Sequence, residues 1–179
     1  MDPSAYDHLL FLSALTLPFS FKSWKKVLVL ATVFTIAHCT SLALSAFDVV
    51  HVAVGWIEFL IPVTILITAL YNYTYISKDA DEVNLRLQLF STAFFGLIHG
   101  FGFSNYFNML MGGVEEKLLP LTGFAAGIEL AQLAVITLVL LLATLVLKVF
   151  HLKKTYFIVI ASLIVALLTI PMLLDTFPW

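Results

Sequence analysis

The chain has 179 residues, 61% of them hydrophobic and 11% charged, with a formal net charge of −2 and a mean hydropathy of +1.05. A soluble domain is nearer half apolar and a quarter charged, so this composition excludes an ordinary soluble enzyme and a disordered chain. Nine Lys and Arg in all exclude a nucleic-acid binder, and the single cysteine, Cys39, excludes an internal disulfide framework.

Cut at its charges and helix breakers, the sequence reads as one transmembrane domain, 1–179, an all-α bundle of about six membrane helices. Span 1 covers residues 5–21, span 2 27–46 and span 3 50–76. Span 4 covers 87–111, span 5 118–147 and span 6 155–174. About 20 residues cross a bilayer as a helix. The apolar runs are continuous, without the alternation of a membrane barrel. Span 1 has Asp2 and Asp7 before it and Lys22, Lys25 and Lys26 after it, the reverse of a cleaved signal peptide. With both termini outside the cytoplasm, the inner side collects Lys22, Lys25, Lys26, Lys78, Arg86, Lys148, Lys153 and Lys154. The outer side keeps only Lys117. That asymmetry sets the expected orientation. Trp24, Tyr71, Tyr73, Tyr75 and Tyr156 then mark inner helix ends and Trp179 an outer one.

An ionisable residue at membrane depth is costly and needs a reason. Here there are several: Asp7 and His8 in span 1, His38 in span 2, His51 and Glu58 in span 3, His99 in span 4, and Glu129 with Gln132 in span 5. At 1.5 Å per residue, His38 and Glu58 each lie about 12 Å from the outer helix end and Glu129 about 16 Å. All therefore fall between the outer surface and the midplane. His51, Glu58 and Asn72 are spaced by multiples of seven along one stripe of span 3. Gly96 and Gly100 flank His99 and invite close approach of another helix, while Gly100 and Gly102 allow a break in span 4 just beyond it. Imidazoles and carboxylates are ligands for Zn, Ni, Co, Cu and Fe. The absence of a thiolate cluster disfavours Cu(I) and iron–sulfur sites, and the scarcity of oxygens disfavours Ca²⁺. His8, His38, His99 and Glu129 are the candidate metal ligands; Asp7, Glu58 and Gln132 are candidates to orient them or relay protons. His51 reads as an interfacial residue, His151 as a solvated loop residue and Cys39 as a small apolar filler. Asn72 lines an inner exit or makes a helix–helix hydrogen bond.

At these residues the sequence resembles the HupE/UreJ family of small bacterial membrane proteins. The matching segments are Asp7-His8-Leu9-Leu10-Phe11-Leu12, Phe34-Thr35-Ile36-Ala37-His38, Glu58, Gly96-Leu97-Ile98-His99-Gly100-Phe101-Gly102-Phe103 and Gly127-Ile128-Glu129-Leu130-Ala131-Gln132. The chain departs from the pattern at Ala5, where Gly is usual, and at Cys39, where Ser is more typical. The resemblance implies a multi-pass protein of the bacterial inner membrane. It further implies that Asp7, His8, His38, Glu58, His99, Glu129 and Gln132 form a polar core, and that the protein is a nickel or cobalt permease.

Three functions follow as expectations. The first is a permease for a divalent transition metal (Ni, Co or Zn), whose weak point is an inner half-path offering little beyond Asn72, Thr68, Tyr71 and Tyr73. The second is an intramembrane metal-dependent hydrolase with Glu58 or Glu129 as general base. The third is a metal sensor or a partner in metallocentre assembly. Expected partners are the metal ion and the bilayer; the oligomeric state is open.

Overall fold

A computed structural model describes residues 3–77, 83–111 and 116–178. Among these residues the chain is entirely helical: α1 (Pro3–Thr16), α2 (Trp24–Ala46), α3 (Val54–Tyr71), α4 (Leu85–Leu110), α5 (Leu118–Lys148) and α6 (Lys154–Asp175). Short 3-10 turns, Phe21–Ser23 and Asn72–Tyr75, precede α2 and follow α3. Among the described residues, four segments are long and apolar enough to cross a membrane: Phe21–Ala46, Val54–Tyr75, Leu118–Lys148 and Lys154–Asp175. Of the six expected spans, α1 is too short at 14 residues. The 26-residue α4 is long enough, but its glycines, asparagines and His99 lower its hydropathy.

The polarity is inside out. Leu130, Leu138, Leu141, Leu163, Leu167 and Leu174 are exposed on α5 and α6, whereas His38, Ser41, Asn72, Gln88, Thr92, His99 and Gln132 are buried. That is the distribution expected when the surrounding solvent is hydrocarbon. The apolar core is built on Phe11, Leu12, Phe34, Leu30 and Ile65, with α1 wedged among α2, α3, α5 and α6.

The most extensive contact is between α2 and α4, and two glycines permit it. A Cβ at Gly96 would stand 2.7 Å from the Phe34 carbonyl oxygen, and one at Gly100 would overlap the His38 carbonyl oxygen and Ser41 Oγ. The glycines of α4 thus serve close packing. The helix runs unbroken through Gly100 and Gly102, which corrects the expected break. Two other boundaries differ from expectation. α1 stops at Thr16, where the Thr16 hydroxyl donates to the Leu12 carbonyl at 2.7 Å and Pro18 disfavours a helical residue before it. α3 begins at Val54, so His51 lies outside the helix, exposed, and the proposed stripe of span 3 does not include it.

Successive helices alternate in direction. Lys117 Nζ donates to the Ala46 carbonyl at 2.7 Å, joining the end of α2 to the start of α5. At the opposite end the Thr155 hydroxyl donates to the Ile76 carbonyl at 3.5 Å. Asp7, Asp48, Glu58, Glu116 and Asp175 therefore share one end of the bundle with Lys117. Lys22, Lys25, Lys26, Arg86, Lys148, Lys153 and Lys154 share the other. Lys78 and Trp179 lie outside the described residues.

Candidate metal centre

Three imidazoles from three helices meet beneath the acidic end. His8 lies with its ring centroid 5.0 Å from that of His38 and 5.3 Å from that of His99. His8 Nε2 stands 3.4 Å from His38 Nδ1. At this spacing the two nitrogens face each other as a hydrogen-bonded pair, one donating and the other accepting, so the ring edge that His38 leaves open is Nε2. His38 and His99 are fully buried, forced inward by the glycine-mediated contact of α2 with α4.

The tautomer of His99 follows from its neighbour. The Thr64 hydroxyl donates its one proton to the Ile61 carbonyl at 2.7 Å. At the 3.1 Å contact with His99 Nε2, Thr64 Oγ1 must then accept. His99 therefore carries its proton on Nε2, and Nδ1 holds the lone pair. That Nδ1 is buried without a hydrogen-bond partner, as is His38 Nε2. Leaving a buried polar atom unsatisfied costs about 1–3 kcal/mol. The donor chemistry, two open ring nitrogens beside a third imidazole, fits a borderline divalent cation. Among the described residues, however, no three His, Cys, Asp or Glu side chains enclose a common point: His8 and His38 are paired, and His99 stands one ring contact away.

A cavity of about 320 Å³ opens beside the imidazoles and is lined by Asp7, His8, Glu58, His99 and Asp175. Glu58 is exposed and Asp7 half-buried, both on this lining. Pro62 lines it too. Without an N–H, Pro62 leaves the Glu58 carbonyl short of its helical donor. Asp175 escaped the sequence reading because it sits at the end of span 6, where polarity is cheap.

Glu129 is bonded to a residue of α2 other than His38. Its Oε1 accepts from the Thr32 hydroxyl at 2.8 Å, and Thr32 is six residues, about 9 Å, along α2 from His38. Its other oxygen is buried without a partner. Gln132, one turn further on, is buried with neither end of its amide hydrogen-bonded. Asn72 makes the helix–helix bonds, its amide nitrogen donating to the Ala14 carbonyl at 2.9 Å and to Ser162 Oγ at 3.3 Å.

Asn72 also lines a second cavity, of about 240 Å³, in the half of the bundle nearer the basic end. Thr68, Gln88, Ser91 and Thr92 share that lining with Phe11 and Phe95. Apart from Thr68 and Asn72, these polar residues went unread in the sequence. The signal was there: Thr64, Thr68 and Asn72 recur every four residues along α3 and into the turn that follows it, and Gln88, Thr92 and His99 fall on one face of α4.

The family model described as HupE / UreJ protein matches residues 3–175, nearly the whole chain. Comparison with curated proteins and with solved structures gives no match.

Proposed function

Because the chain belongs to the HupE/UreJ family, we propose that it is a permease for a divalent transition cation of the nickel/cobalt type, zinc being the other candidate. The cation enters at the acidic end, which faces outward from the inner membrane with both termini, and is taken up by His8, His38 and His99. The observation that carries the reading is the pair of buried, unpartnered ring nitrogens, His38 Nε2 and His99 Nδ1, beside His8. Asp7, Glu58 and Asp175 give the cavity a negative lining that concentrates cations. Glu129 and Gln132 supply further ligands or proton relays as the cation passes deeper. The seven basic residues gathered at the opposite end support the orientation.

A hydrolase would use the same imidazoles with Glu58 as base, and a metal sensor or assembly partner could use them for binding alone. Neither has use for the neutral oxygens of Thr68, Gln88 and Thr92 on the otherwise largely apolar cavity in the other half of the bundle, and those oxygens favour transport. The test is metal analysis of the purified protein together with uptake of labelled Ni²⁺ or Co²⁺ into proteoliposomes. Wild type should hold metal near-stoichiometrically and take it up; His38→Ala with His99→Ala should lower both by at least about tenfold. Wild type without bound metal, or a double variant that binds and transports as wild type does, overturns the reading.

A further inference from the structure

Between the two cavities lies Phe11. It is fully buried and lines the second cavity. Its ring centroid is 5.3 Å from that of His99, which lines the first. Phe34, at 4.9 Å, and Phe95, at 6.0 Å, complete an aromatic layer around it. Beneath this layer the polar groups continue. Thr92 and Gln88 lie seven and eleven residues from His99 on the same face of α4, about 10 and 16 Å along the axis. Facing them, Thr68 continues the α3 row that begins at Thr64.

The chemistry changes across the layer. Above it the donors are imidazole nitrogens; below it they are neutral oxygens. Gln88 is 6% exposed, and its Oε1 has no hydrogen-bond partner. The Thr68 hydroxyl donates its proton to the Thr64 carbonyl at 2.8 Å, so its oxygen retains only acceptor capacity. Neutral oxygens hold a borderline cation far more weakly than imidazoles do. A conducting path needs such a weak site, because an ion must leave as readily as it enters. Most of the lining below the layer is apolar, so these few oxygens are its polar footholds for an ion that keeps part of its water shell.

We infer that this inner cavity is a second station on the cation's path. It receives a partly hydrated divalent ion through the oxygens of Thr68, Gln88 and Thr92, and Phe11 is the septum that separates it from the imidazole station. This rests on the permease reading, so the experiment measures binding and uptake on each protein.

In Gln88→Leu/Thr92→Val the inner oxygens become apolar. Ni²⁺ affinity at the imidazoles should match wild type, while uptake into proteoliposomes falls about tenfold or more. In Gln88→Glu a full charge joins the station. Titration with Ni²⁺ should then show a second bound equivalent, and uptake should slow because release is harder. Phe11→Ala opens the septum and should raise the uptake rate at saturating Ni²⁺. If Gln88→Leu/Thr92→Val fails to bind at the imidazoles, its fold is damaged and the decision passes to Gln88→Glu. Wild-type uptake in Gln88→Leu/Thr92→Val with binding intact overturns the inner station and marks the cavity as lipid-filled. An unchanged stoichiometry in Gln88→Glu overturns it as well. A wild type that neither binds nor transports Ni²⁺ overturns the permease reading instead.

Discussion

Replacing Gly100 with alanine tests whether the glycine-mediated contact of α2 with α4 sets the geometry of the imidazoles. The new Cβ would overlap the His38 carbonyl oxygen and Ser41 Oγ. The first is main chain and cannot rotate away, so the helices must part. At the milder neighbour, Gly96, the Cβ-to-carbonyl distance of 2.7 Å is about 0.7 Å inside ordinary contact, which begins at 3.4 Å. Overpacking of this kind costs about 1–3 kcal/mol. Alanine returns up to about 1 kcal/mol through helix propensity. An overlap with main chain belongs at the upper end of that cost, so the net loss is about 2 kcal/mol, a fall of about 4–8 °C in Tm for a chain of this size. Because the displaced backbone carries His38 itself, the 3.4 Å spacing to His8 is lost with it, and Ni²⁺ affinity should drop by about tenfold or more. Gly127→Ala is the control. No atom lies within 4 Å of its Cβ position, so it should match or exceed wild-type stability and bind metal normally. Thermal unfolding in detergent and Ni²⁺ titration read both effects. A Gly100→Ala protein with unchanged Tm and affinity would refute the close-packing account.

Two further substitutions separate orientation from attraction. Thr64→Val removes the acceptor that fixes the His99 tautomer; it leaves the Nε2 proton buried and should weaken Ni²⁺ binding by about 10- to 100-fold, measured by competition with a chelator. Equal affinity in the variant would show that Thr64 does not orient His99. Asp175→Asn thins the negative lining without touching an imidazole. Its apparent KM for uptake should rise severalfold at low salt with the maximal rate kept. The difference should fade near 1 M salt, where the screening length is about 3 Å; a salt-independent change would point to direct ligation instead.

The residues legible in the sequence were those whose presence at membrane depth is costly. His38 and His99 stand out because each interrupts an apolar run, and the structure brings both against His8. The flanking glycines were legible as a close-approach pattern, but whether Gly100 packs against α2 or breaks α4 depends on a partner 59–62 residues away in sequence. Asn72 carried two readings; the structure shows the helix–helix bonds, bridging α1 and α6, and places the residue on the lining of the second cavity. Glu129 marked a polar site, yet its bond to Thr32 could not be read, since threonine is common and cheap in membrane helices. For the same reason Gln88 and Thr92 passed unnoticed near the polar start of α4, and Asp175 passed at a helix end. Charged and imidazole residues are visible against an apolar background; hydroxyls and amides become visible only once facing helices are known.

The first helix is too short to cross the membrane. Fourteen residues rise about 21 Å, roughly two-thirds of a 30 Å hydrocarbon core. Beyond Thr16 the chain is no longer helical at what is still membrane depth, a conformation tolerated only where protein covers it. Thr16, Leu17 and Phe19 are indeed buried, with the Phe19 N–H donating to the Thr16 carbonyl at 3.0 Å. Where α1 ends, the irregular chain is thus sealed from lipid by the helices packed around it. An end shut away from hydrocarbon need not reach across the bilayer, so the length of α1 is set by its packing against its neighbours rather than by membrane thickness.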